Sequence, residues 1–214
     1  MPFYETLGNA TATERDYLLS SPIIVRCLNG EVSRESYLAF LGQAYHHVRH
    51  TVPLLMSLGG RLPDRLAWLR RAVAEYIEEE IGHEEWILND IAAAGGDADA
   101  VRASRPELPA DVMVAYAYDV VNRRNPAGFF SMVFVLEGTS VAMALNAADR
   151  IQRTLGLPDR AFSYLRSHGT LDREHTRHLA DLLERMTPED QADVVDCTKA
   201  FFRLYAGIFR ALLL

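Results

Sequence analysis

The sequence predicts an all-α protein, a bundle of about seven helices in one domain spanning 1–214. Three observations carry this. Apolar residues recur at the helical period along the chain, and no strand-like alternation bounded by turns interrupts them. Pro, Gly and Asp punctuate the periodic stretches where helices should begin and end. The 214 residues, 49% apolar or aromatic and 24% charged, have the proportions of a globular chain with one sizeable core.

The first helical stretch covers 12–28, broken near Pro22 and stopped by Asn29-Gly30. The second opens with Ser33 as N-cap and reaches about Leu58, with a kink expected at Pro53. The third runs over 63–94 and stops at Gly95-Gly96. A longer connection, 95–108, leads to a fourth helix between Pro109 and Asn122. The fifth starts on Asn125-Pro126 and ends near Gly156. The sixth follows Pro158-Asp159 and stops near Met186, and the last opens with Thr187-Pro188-Glu189-Asp190.

Composition narrows the function classes. Acidic residues outnumber basic ones, 29 to 22, and the net charge of −7 argues against a nucleic-acid-binding face. Lys199 is the only lysine, which leaves little room for Schiff-base chemistry. Two lone thiols, Cys27 and Cys197, fit a reducing cytoplasm better than a disulfide framework. Residues 1–16 lack a basic region followed by an apolar run, so no signal peptide is expected. The most apolar stretch, 129–147, is interrupted by Glu137, Gly138, Thr139, Ser140 and Asn146, and no membrane partner is expected. The expectation is a cytoplasmic protein acting on a small molecule.

Ionisable residues stand where the core should be. On the sixth helix, positions 161, 164, 168, 172, 175, 179 and 182 fall on one stripe. Ala161, Tyr164, Leu179 and Leu182 are apolar or aromatic, but the middle is His168, Asp172 and His175. Burying these without partners would cost several kcal/mol each, and a metal ion is the simplest partner for imidazole and carboxylate together. A surface patch is the plain alternative. His178 lies off the stripe and is expected either behind the ligands or at the rim.

The third helix has an apolar stripe through Leu66, Leu69, Val73, Ile77, Ile87 and Ile91, with Glu80 near its middle and His83 one turn on. Glu-x2-His lets two side chains of one helix reach a common ion. Glu84 also falls inward by angle, and the residues leave open which of Glu79, Glu80 and Glu84 is the ligand. On the fifth helix, Glu137 is the only ionisable residue between Arg124 and Asp149, within a stretch apolar nearly all round. It calls for a metal or for an arginine such as Arg177 or Arg123. Together the candidates are two Glu, one Asp and three His, a set suited to two iron or manganese ions, and the lack of Cys among them argues against structural zinc.

Glu80-Ile81-Gly82-His83, Glu137, and His168-x3-Asp172-x2-His175 resemble the motifs of the heme-oxygenase-like diiron oxidases. The resemblance covers nearly the whole chain. It implies a seven-helix heme-oxygenase-like fold, related to thiaminase II and pyrroloquinoline quinone synthase. It also implies that Glu80, His83, Glu137, His168, Asp172 and His175 hold two Fe ions, with Mn as the alternative, and that O₂ is the co-substrate. Such enzymes oxidise small organic acids, amines or amino acids. Phe130, Val133, Phe134, Tyr164 and Tyr45 are expected pocket walls by helical position.

Other classes make distinct demands. A thiaminase-II-like hydrolase needs a nucleophilic cysteine on the fifth helix, and that helix has none. A heme protein needs an axial ligand, but His46, His47 and His50 lie away from the apolar stripe of Tyr37, Leu41, Val48, Val52 and Leu55. A cofactorless oxidase, like the quinone synthase, would need no metal site. Finally, Val194, Val195, Phe201, Phe202, Tyr205, Ile208, Phe209 and 212–214 exceed what one face of a terminal helix buries, and a homodimer is expected.

Overall fold

The computed structural model describes residues 1–212, with side chains for all of these except 168–175. Its helices run α1 Phe3–Ala10, α2 Ala12–Leu19, α3 Pro22–Leu28, α4 Arg34–Val48, α5 Thr51–Arg61 and α6 Arg70–Glu80. They continue as α7 His83–Ala93, α8 Ala98–Ala103, α9 Leu108–Arg123, α10 Phe130–Leu155, α11 Ser163–Glu184 and α12 Pro188–Ala211. Short 3₁₀ turns at Asp64–Leu69, Pro126–Phe129 and Asp159–Ala161 lead towards α6, α10 and α11. No strand occurs among the described residues.

The start signals act as their chemistry requires. Ser33 Oγ accepts from Ser36 N at 3.0 Å, and Ser36 Oγ accepts from Ser33 N at 3.1 Å, a reciprocal cap on α4. Thr187 Oγ1 accepts from Asp190 N at 3.2 Å and opens α12. The expected second helix is in fact two, and Pro53 sits in the first turn of α5. Proline has no N–H to bond backwards, so a break ahead of it costs less than a kink around it. The expected third helix divides into a 3₁₀ turn, α6 and α7. The connection 95–108 holds α8, capped by Asp97 Oδ1 accepting from Ala100 N at 2.9 Å.

A short helix, α1, precedes everything the periodicity picked out. Phe3 N donates to Glu184 Oε2 at 2.6 Å, which ties the start of α1 to the last residue of α11.

Among the described residues the core forms two buried clusters, and α10 belongs to both. Phe130, Met132, Phe134 and Val135 pack into the larger one, with α5, α6, α9 and α12. Ala144, Ala148 and Ile151 pack into the smaller one, with Tyr37, Leu41, Ile87, Ile91 and Phe162. Glu137 to Ser140 fall between the two sets on α10. The helix from Pro126 to Leu155 is long and apolar enough to cross a membrane by length and composition, but 50% of its apolar window is buried inside the protein. The surrounding helices α11, α12 and α3 pack on it.

Of the apolar residues expected in surplus on the last helix, Val195 and Phe209 are half-buried, and 213 and 214 lie outside the described residues. Val194, Phe201, Phe202, Tyr205, Ile208 and Leu212 are buried in the chain's own core. Light scattering tests the expected homodimer directly.

Candidate metal centre

Gly82 has φ +91°, a left-handed conformation that ends α6 and lets α7 begin at once. Ile81 is turned outward, 64% exposed, while His83 is turned in, 3% exposed. The break does not separate the candidates. Glu80, last residue of α6, meets His83, first residue of α7, with Oε2 3.1 Å from Nδ1. Both side chains are nearly buried, and the His83 ring lies 4.0 Å from that of Trp86, centroid to centroid. Glu79 is exposed and Glu84 half-buried, so Glu80 is the carboxylate that this turn carries inward.

Glu137 is 9% exposed, in the middle of α10. Glu80 and Glu137 line the same cavity, of about 160 Å³. The rest of its wall is largely apolar, with Val133 and Tyr164 as expected and Met132, Leu136, Ala144 and Ile151 in addition. Among the described residues no lysine or arginine lines it. The other expected walls are occupied elsewhere: Phe130 is wholly buried, Phe134 packs edge-on against Tyr4 at 5.1 Å, and Tyr45 packs against His46 at 5.5 Å. Arg123, one proposed partner for Glu137, pairs with Asp119 at 3.3 Å, and Arg177 is exposed.

The side chains of His168, Asp172 and His175 lie outside the described residues. Their helix, α11, packs along α10 and against α7 and α1. His178 is exposed, with Nε2 3.9 Å from Glu75 Oε2. Among the described residues no three His, Cys, Asp or Glu side chains form a group that could hold an ion. The described candidates nevertheless fit a metal site in kind, since two carboxylates and an imidazole are held out of water beside one apolar cavity.

Three residues near this cavity escaped the sequence reading. Tyr4 bonds to Thr176, and burial first and the Glu137 charge second push its phenol above the ordinary range. Its helix is eight residues long, too short for periodicity to reveal, although Phe3, Tyr4 and Leu7 have the right spacing. Asp90 is completely buried on α7 and accepts from Ser163 N at 2.9 Å, Ser163 Oγ at 2.5 Å and Tyr164 N at 2.9 Å. Burial raises its carboxyl pKa, and these bonds offset only part of the rise.

The third is His47. The helical angles of α4 predict that His46, His47 and His50 lie off the core, and this is corrected: His46 and His47 are buried, and His47 lines the cavity. The angular argument failed because α4 is covered on more than one side, by α7 and by α9. His46 meets Ser104 Oγ at 2.9 Å and His50 meets Tyr118 Oη at 3.3 Å. Burial and the Arg49 charge hold both imidazoles below their ordinary pKa.

These features define an all-α protein of the heme-oxygenase-like fold with a largely apolar, carboxylate-bearing cavity. The chain belongs to the family of iron-containing redox enzymes, whose sequence pattern matches residues 38–206. A Shewanella denitrificans domain of unknown function with a heme oxygenase-like fold is similar, with 25% identity, a TM-score of 0.87, and coverage of 97% of this chain and 90% of that one. A TenA homolog from Pseudomonas syringae superposes with a TM-score of 0.79 at 11% identity, over 97% of this chain and 90% of that one. Heme oxygenase from Leptospira interrogans superposes with a TM-score of 0.77 at 16% identity, over 99% of this chain and 100% of that one. No curated protein matches the sequence.

Proposed function

We propose that this protein is a non-heme diiron oxidase that uses O₂ to oxidise a small organic acid, amine or amino acid. The observation that carries the proposal is the pair Glu80 and Glu137 on the wall of one apolar cavity, with His83 against Glu80. In this reading Glu80, His83 and Glu137 hold the metals together with His168, Asp172 and His175, whose helix packs on α10 and α7. Two iron ions, or manganese in their place, would supply the electrons that reduce O₂. The chain itself excludes water and holds the substrate by apolar contact along Met132, Val133, Leu136 and Ala144. With no lysine or arginine among the described lining residues, selection rests on the shape of the apolar part of the substrate. Cytoplasmic location is proposed with it, in keeping with the fold of soluble enzymes.

The test is metal content after expression with added iron. Two irons per chain in the parent, fewer in Glu137→Gln and no change in the exposed Glu79→Gln support the reading. Equal iron in all three overturns it.

A hydrolase of the thiaminase type is the second reading, favoured by one observation: Cys27 lines the cavity. Burial pushes its thiol above the ordinary range, so at neutral pH it is poorly ionised and a weak nucleophile. Retention of iron uptake in Cys27→Ser separates the two.

A further inference from the structure

We propose that Asp90 is a positioning residue for the metal centre, fixing the register of α11 against α7; this rests on the diiron reading above. His83 and Asp90 are on the same helix, seven residues apart, a rise of about 10.5 Å. From α7 the Asp90 carboxylate crosses to the first turn of α11 and takes the backbone N–H groups of Ser163 and Tyr164, at 2.9 Å each, and the Ser163 hydroxyl at 2.5 Å. Position 168 follows Ser163 by five residues, about 7.5 Å along the axis. One buried carboxylate thus joins the helix of His83 to the helix of His168, Asp172 and His175, within two turns of the nearest candidate on each.

The way the bonds are made matters more than their number. Tyr37 Oη also holds this region, donating to Ala161 O at 2.6 Å, and Arg166 reaches Asp149 Oδ1 on α10 at 3.1 Å. Both leave the first-turn amides of α11 untouched. Asp90 takes two of them at once, and two bonds from one rigid carboxylate restrict both rotation and sliding of the helix. Metal–ligand distances tolerate only about 0.2 Å of error, so a small slide of α11 would spread the ligands. Residues that orient ligands from behind alter metal affinity about 10- to 100-fold when lost.

The experiment titrates Fe(II) anaerobically into parent, Asp90→Asn, Asp90→Ala and Asp190→Asn, well below the melting temperature of each. Asp190 is also a wholly buried carboxylate near a helix start, but its side-chain partners are Arg65, Asn125 and Thr187 and none is on α11, so its variant reports destabilisation alone. We expect Asp90→Ala to bind Fe(II) about 10- to 100-fold more weakly, Asp90→Asn to fall between it and the parent, and Asp190→Asn to bind as the parent does. If Asp90→Ala does not fold, the comparison of Asp90→Asn with Asp190→Asn decides. Parent-like affinity in the Asp90 variants, or an equal loss in Asp190→Asn, overturns the positioning role and leaves the diiron reading intact. A parent that takes up no iron overturns both.

Discussion

Glu80 closes α6 and His83 opens α7, yet their side chains meet at 3.1 Å across the turn that separates the two helices. The positive φ of Gly82 ends α6 here and sets the angle at which α7 leaves, with Ile81 turned out and His83 turned in. A Cβ placed on Gly82 meets nothing within 4 Å, so the cost of a side chain there is in the backbone alone. Gly82→Ala should lower stability by about 1–2 kcal/mol in urea melts. It should also weaken iron uptake more than an exposed-surface change of equal stability cost.

Asp190 yields a pH prediction. Burial alone would raise its carboxyl, but Arg65, Asn125 and Thr187 outweigh burial and hold it below the ordinary range. Arg65 Nη1 donates at 2.6 Å and Asn125 Nδ2 at 2.8 Å. A depressed pKa in the folded state means a contribution that is full above the unfolded pKa, about 3.9, and lost as pH falls through the folded value. Asp190→Asn should therefore cost about 1.5–3 kcal/mol at pH 7. The difference from the parent should shrink in melts taken below about pH 4.

The cavity should bind apolar probes, and filling it should stop this. Ala144 lines it and is otherwise well buried. In Ala144→Leu the new atoms enter free space, so the stability change should stay below the ~1–3 kcal/mol that overpacking a filled core costs. Fluorescence of an environment-sensitive apolar dye should rise with the parent and not with the variant.

Cys27 should react slowly with thiol reagents near neutrality. An ordinary thiol, pKa about 8.5, is about 3% ionised at pH 7, and burial lowers that fraction for Cys27. The rate should climb about tenfold per pH unit and keep climbing past the point where a free cysteine levels off. A rate that saturates near neutral pH would mean an activated thiol and would favour the hydrolase reading.

What the sequence made legible was set by local chemistry. Ser33 and Thr187 cap their helices because a hydroxyl ahead of a helix needs nothing distant to act. The candidates Glu80 and Glu137 were visible because a carboxylate among apolar residues stands out whatever its neighbours are. Tertiary contacts decided the rest. His47 is buried by α7 and α9 closing over α4, which no angle on α4 alone can reveal. Tyr4 reaches Glu137 only because the whole chain returns to α1, and Asp90 reads as an ordinary polar residue until α11 arrives on top of it. The Gly82 break was hidden because Glu-x2-His matches an unbroken helix equally well.

The position of Glu137 also bears on how the protein is made. During synthesis the 30-residue helix from Pro126 to Leu155 leaves the ribosome before α11 and α12 exist to cover it, and its length and apolar content suit a translocon. An acidic side chain near the centre of such a segment opposes insertion by about 3 kcal/mol. Glu137, one of two carboxylates on the cavity wall, is therefore also the charge in the middle of the chain's most apolar helix, and it raises the cost of placing that helix in a bilayer.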